Sequence, residues 1–368
     1  MTTFISRFDT TGTGVRLAVK DLIDMQGEPT TAGCRAVAET AQPAAADAAC
    51  LAGARAAGAR IVGRTNLHEL ALGVTGINPW FGTPVNPIDP TCVPGGSSSG
   101  AAVAVADDEA DVAYGSDTGG SVRIPAACCG VAGLKTTYGR VSVEGVWPLS
   151  PSFDTIGPLA RDVAGLVLGM QLLEPGFAVG PTRAVRIGRL RVEADPVIDK
   201  AIDDALSATD WEIVDVELPG WDMVTAVAGA LLVAEAWQTD GALLDANPDK
   251  VGPDVAGRLR IGSQVDEATM ARGNAARQDW RDELARAFAT VDLIATPTLT
   301  IFPPTVESGE ELLMARCTLP VNLAGVPALA LPVPSGHRFP ASLQLIGPLD
   351  SEPDLLAAGQ VLERAAGA

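Results

Sequence analysis

The stretch Gly95-Gly96-Ser97-Ser98-Ser99-Gly100 runs directly into Ala101-Ala102-Val103-Ala104-Val105-Ala106. A second glycine-rich turn, Gly115-Ser116-Asp117-Thr118-Gly119-Gly120-Ser121, follows the short apolar run Val112-Ala113-Tyr114. The apolar hexad after Gly100 suits a buried helix and Val112–Tyr114 a short strand, an order that belongs to α/β proteins. Upstream, Pro79 to Ser99 is crowded with Pro, Gly, Asn and Ser and reads as one long ordered loop. Loops of that length in a compact protein are usually functional or disordered, and one that feeds a buried helix favours function.

Working outward, Val15-Arg16-Leu17-Ala18-Val19 predicts a strand that ends at Lys20, with strand alternation sending Lys20 and Asp21 to opposite faces. Residues 43–59 are alanine-rich and helical in pattern, and Ile61-Val62-Gly63-Arg64 reads as a buried strand. Residues 165–174 predict an apolar helix and 183–191 a strand of interleaved apolar and basic residues. Helical patterns dominate from about 222 to 290, with Arg272 through Phe288 amphipathic. Strand-like runs resume at 293–295, 328–334 and 342–346. No repeat, linker or sharp boundary interrupts this rhythm. The expectation is one compact α/β domain over 1–368, carrying a mostly helical excursion at about 195–290.

Of 368 residues, 47% are hydrophobic and 19% charged, which describes a chain with a sizeable core. A net charge of −19 argues against nucleic acid or an anionic membrane as a partner, because both would repel such a surface. No opening segment resembles a signal peptide and no apolar run reaches the roughly 18 residues a span requires, so the chain is expected to be cytoplasmic. The cysteines at 34, 50, 92, 128, 129 and 317 form no CxxC pair, and are expected to be reduced, structural thiols with no metal role.

Amide hydrolysis needs a nucleophile, a group to take its proton, and donors for the oxyanion formed on attack. Thr118-Gly119-Gly120-Ser121 offers a hydroxyl and a nest of backbone amides, and it leads into Val122-Arg123-Ile124-Pro125, where a helix could start. Lys20 offers the base. The chain carries 26 Lys and Arg together but only four lysines, at 20, 135, 200 and 250, so lysine is rare where any cation would do. Arginine cannot give up its proton in a protein, whereas a buried lysine can.

Rival chemistries lack parts. A Ser-His-Asp triad would depend on His68 or His337, and the GxSxG spelling at Gly96–Gly100 has a Pro- and Gly-rich loop before it instead of a strand. Asp117-Thr118-Gly119 has no second copy to share a proton, and neither glycine run continues into GK[ST].

The run from Gly95 through Pro125 resembles the glycine- and serine-rich signature of the amidase signature family, and Val19-Lys20-Asp21-Leu22-Ile23-Asp24 resembles its lysine motif. Gly63-Arg64-Thr65-Asn66, Asn86-Pro87, Gly133-Leu134-Lys135, Asp154 through Arg161, Asn322 through Ala328 and Leu343 through Pro348 are similar to its other landmarks. The resemblance implies a large mixed β-sheet core flanked by helices and an acyl-enzyme mechanism without cofactor. By position it implies Ser121 as nucleophile, Ser97 as a bridging serine with a cis peptide bond, and Lys20 as base. The backbone amides of Thr118, Gly119, Gly120 and Ser121 would form the oxyanion hole, with Ser98, Asp117 and Arg123 in support. It further implies a small-molecule amide as partner and is compatible with a homodimer.

Ser99 stands where the signature usually has glycine, and Thr136 where proline usually follows the lysine at 135. The glutamine-hydrolysing component of tRNA-dependent amidotransferases is the alternative within the resemblance. Against it, Ile124 occupies the place of that branch's usual glutamine, and Phe153-Asp154-Thr155 looks like general amidases. Pocket walls are expected from 73–85, 144–153 and the helical middle, with Trp80, Phe81, Trp147 and Phe153 as candidate lining residues.

Overall fold

The computed structural model describes residues 2–181, 185–308 and 311–367. Eleven strands form one mixed sheet: β1 (Phe4–Arg7), β2 (Arg16–Lys20), β3 (Arg60–Thr65), β4 (Val112–Ser116), β5 (Ala132–Lys135), β6 (Ile156–Ala160), β7 (Arg186–Leu190), β8 (Glu212–Val216), β9 (Leu293–Pro297), β10 (Ala328–Val333) and β11 (Ala341–Ile346). Their order across the sheet is β1-β3-β2-β4-β6-β5-β10-β11-β9-β7-β8. The central strands are buried along nearly their whole length, as expected when helices cover both faces.

The feature that positions the site lies at β2, β3 and β4. These three run parallel, with Lys20 beside Thr65 of β3 and Val19 beside Tyr114 of β4. Their C-terminal ends therefore open on one edge of the sheet, where loops of an α/β sheet commonly build sites. The 79–99 region is non-regular, and its last residues pass into the buried helix Ser99–Ala106.

Three expectations change. Residues 43–59 form only a 3-10 turn at Ala49–Leu51 and the short helix Ala52–Ala56. Pro43 instead bridges Pro29 and Ala44 bridges Gln26, while the Asp47 carboxylate accepts from the Gln26 amide, so the start of the alanine run is held out of a helix by its neighbours. The region at about 195–290 is mostly helical, with Pro196–Ser207, Trp221–Ala246, Pro253–Gly262 and Glu267–Phe288, but it also contributes β8 to the sheet edge beside β7. The strand expected at 183–191 is found at Arg186–Leu190, and Arg183 and Ala184 lie outside the described residues. No helix among the described residues is long and apolar enough to cross a membrane.

Candidate active site

Lys20 is the last residue of β2 and is fully buried. Its Nζ lies 2.7 Å from the Ser97 hydroxyl and 2.8 Å from the Ser116 hydroxyl, hydrogen-bonded to both. Burial pushes the Lys20 amine down to about 7, although the negative charges of Asp117 and Asp154 work against the shift. Asp21, one residue on, turns to the opposite side and pairs with Arg64 and Thr31. The alternation expected from sequence thus separates the lysine from the adjacent carboxylate.

Ser97 sits in the glycine-serine loop, and the Gly96–Ser97 peptide bond is cis. The Ser97 carbonyl accepts from the His68 amide at 3.0 Å, and the Ser98 amide donates to the Ser121 carbonyl at 3.1 Å, so the two signature loops are tied by backbone. Ser98 Oγ donates to the Ser116 carbonyl at 3.3 Å. Close approach explains the glycines: a Cβ on Gly115 would meet Ser98 Oγ at 2.6 Å.

The second turn leaves the C-terminal end of β4 and enters the helix Arg123–Cys129. Asp117 shapes it. Its buried carboxylate accepts from the amides of Gly120 at 2.9 Å, Val122 at 3.2 Å and Arg123 at 3.4 Å. It also pairs with the Arg123 guanidinium at 2.8 Å. Burial pushes the Asp117 carboxyl up, but Arg123, Lys135 and Asn322 outweigh it and hold the carboxyl well below the usual carboxylate range. Arg123 reaches on to Gln344 and Asn322, each at 2.6 Å.

Within this network the Gly120 amide already donates to Asp117. Among the described residues, the amides of Thr118, Gly119 and Ser121 have no intramolecular acceptor. The Ser121 hydroxyl likewise makes no side-chain hydrogen bond among them, and it faces a cavity of about 340 Å³. Lys20, at the end of β2, and Ser97, Ser98, Asp117, Ser121 and Arg123, in or just after the two turns, are joined by the Lys20–Ser97, Ser98–Ser121 and Asp117–Arg123 hydrogen bonds.

Ser116 escapes sequence reasoning, though it lies inside the second turn. Two further features run against expectation. The four expected aromatics do not line the cavity: Trp80 Nε1 donates to Glu69 at 2.7 Å, Trp147 Nε1 donates to Asp240 at 3.3 Å, and Phe153 is buried beneath Arg277. Phe81, beside Trp80, is likewise absent from the cavity wall. Lys135, as buried as Lys20, is also pushed down by burial to about 7, yet its Nζ is held by the carbonyls of Thr136 at 2.9 Å and Val326 at 3.0 Å.

The histidines serve elsewhere. His68 Nε2 lies 3.1 Å from Asp254 and its Nδ1 3.3 Å from the Thr75 hydroxyl, while His337 stacks on Phe302. All six cysteines are free and buried. No cluster of metal-ligating side chains occurs among the described residues.

Comparison with known proteins agrees with this geometry. Residues 12–356 match the family described as Amidase. The chain is similar to a glutamyl-tRNA(Gln) amidotransferase subunit of Halobacterium salinarum, 33% identical with 95% of each protein covered. It is also similar to a solved amidase, at 34% identity and a TM-score of 0.90, over 96% of this chain and 85% of the other. A third relative is the corresponding glutamyl-tRNA(Gln) amidotransferase subunit of Thermotoga maritima, 28% identical with a TM-score of 0.84, over 98% of this chain and 87% of that one. With the fold, the signature loops and these likenesses in agreement, the chain belongs to the amidase family and is a carbon–nitrogen hydrolase.

Proposed function

We propose that this amidase works through a Ser121–Ser97–Lys20 relay. The observation that carries the reading is the buried Lys20 amine, 2.7 Å from the Ser97 hydroxyl and brought by burial to about 7. In the neutral amine the lone pair faces Ser97 while an N–H donates to Ser116, so Ser116 is a positioning residue that aims the base.

The Ser97 hydroxyl gives its proton to Lys20 and takes one from Ser121 as the Ser121 oxygen attacks the amide carbon. The amides of Thr118, Gly119 and Ser121 hold the resulting oxyanion, and Gly120 is left out because Asp117 occupies its N–H. The C–N bond breaks as the leaving nitrogen receives the proton returned through Ser97. Water then attacks the ester on Ser121, and the same relay accepts the water proton and returns it to Ser121. The acid leaves and the enzyme is restored without a cofactor.

The relatives named as amidotransferase subunits favour a second reading, glutamine hydrolysis in a complex with other chains. Ile124, buried beside the nucleophile turn, supports the simple amidase. Labelling with a small uncharged fluorophosphonate followed by peptide mapping tests the reading. The label is expected on Ser121; a label on another serine, or none, contradicts it.

A further inference from the structure

The cavity that receives Ser121 is walled by aliphatic side chains: Leu72, Val74, Leu149, Leu232, Ile261 and Leu319. Among the described residues it has no Asp or Glu in its lining, and its one charged side chain is Arg258, whose Nε donates to Asp254 at 3.0 Å. An amino-acid amide such as glutamine brings an ammonium and a carboxylate next to the reacting amide. Burying that ammonium without a carboxylate to meet it is costly. An uncharged hydrocarbon chain, by contrast, gains from the same walls.

A second observation concerns reach. Gly229, on the helix Trp221–Ala246, lines this cavity, and a Cβ built there meets nothing within 4 Å. Glycine inside a helix is usually less favourable than alanine. Here it leaves space where any longer side chain would occupy the chamber. At the cavity rim Ile261 is 63% exposed, which extends the apolar surface outward from the site.

We propose that the substrates are uncharged amides bearing an aliphatic chain of several carbons, and that Gly229 sets how long that chain can be. This rests on Ser121 being the nucleophile. The chain enters the aliphatic cavity while the amide carbon lies at Ser121; alkanamides and N-alkyl acetamides share this chemistry and differ only in which side of the amide carries the chain.

The test measures kcat/KM for acetamide, butanamide, hexanamide, N-butyl acetamide and glutamine, on the parent and on Gly229→Leu, with fluorophosphonate labelling of Ser121 run in parallel. In the parent, kcat/KM is expected to rise about fourfold per added methylene. Glutamine is expected to fall at least about tenfold below butanamide. In Gly229→Leu the hexanamide-to-acetamide ratio is expected to drop by about tenfold or more, a ratio unaffected by how much variant folds. The better of butanamide and N-butyl acetamide identifies the side that carries the chain. If Ser121 labels while glutamine is the best substrate, or chain length and Gly229→Leu leave the ratios flat, the substrate inference is wrong and the nucleophile stands. If Ser121 fails to label, both fall together.

Discussion

A lysine amine sealed among apolar strands and two serine hydroxyls loses hydration that only its neutral form can do without, and this single cost defines the chemistry of Lys20. Replacing it with methionine is expected to slow amide turnover by about a thousandfold or more. The same change is expected to raise the melting temperature by a few degrees, since the buried amine no longer has to shed its proton. The sign follows from linkage. Lys20 has a folded-state value of about 7 against an ordinary 10.5, so between those pH values the unfolded chain binds more protons. Its penalty on stability is full below pH 7 and fades as pH rises toward 10.5, so the Lys20→Met advantage, read by thermal unfolding, is expected to shrink across that window.

Ser116→Ala is expected to lower kcat/KM by about tenfold and to move the pH inflection acid-ward, because the charged amine loses an acceptor. A merely structural role would leave the inflection in place. At this scale motif and residue type point to Lys20, Ser97 and Ser121 as candidates, and the fold brings Lys20 and Ser97 into contact. It does not reveal Ser116, whose partner comes from a strand far away in the chain. Nor does lysine scarcity separate Lys20 from Lys135: both are buried with similarly lowered amines, and only their neighbours, hydroxyls in one case and carbonyls in the other, tell them apart.

Among the elements, the two signature loops work as one unit because backbone contacts between them leave no space for side chains. Gly95 has a φ of +75°, and a Cβ there would lie 2.8 Å from both Cys128 Sγ and Pro125 Cα. Gly95→Ala is therefore expected to cost about 1–3 kcal/mol in denaturant unfolding and to reduce turnover with it. Ser99 packs in the same way: a Cβ on Gly76 would meet Ser99 Cβ at 2.6 Å, so the extra side chain at 99 is accommodated by a bare backbone at 76.

Strands β2, β3, β4, β9, β10 and β11 are legible as apolar runs and β7 as interleaved apolar and basic residues, whereas β1, β5, β6 and β8 are not. β5 and β6 are four and five residues long, buried throughout and interrupted by Gly133, Gly157 and Pro158, so they show neither alternation nor length. The alanine run at 43–59 misleads for the opposite reason, since tertiary bridges override its helical composition.

For the molecule as a whole, the turn that carries Ser121 is fastened to the far end of the chain. Arg123 joins Asp117 of the turn to Gln344 of β11 and to Asn322, so residues some two hundred positions apart support one loop. Gln344→Leu leaves part of a buried guanidinium without its acceptor and is expected to cost about 2 kcal/mol of stability, measured by chemical denaturation. We propose that residues 1–368 behave as one folding unit, with tryptophan fluorescence and far-UV circular dichroism giving coincident transitions.

The pH dependence of fluorophosphonate labelling at Ser121, compared between the parent and Lys20→Met, reads the proposed proton relay most directly. The parent's rate is expected to climb with pH through about 7 and then level off, and Lys20→Met to label at least about a hundredfold more slowly with no inflection there. Equal labelling rates in the two proteins, or an inflection near 7 that persists without the lysine, would contradict it.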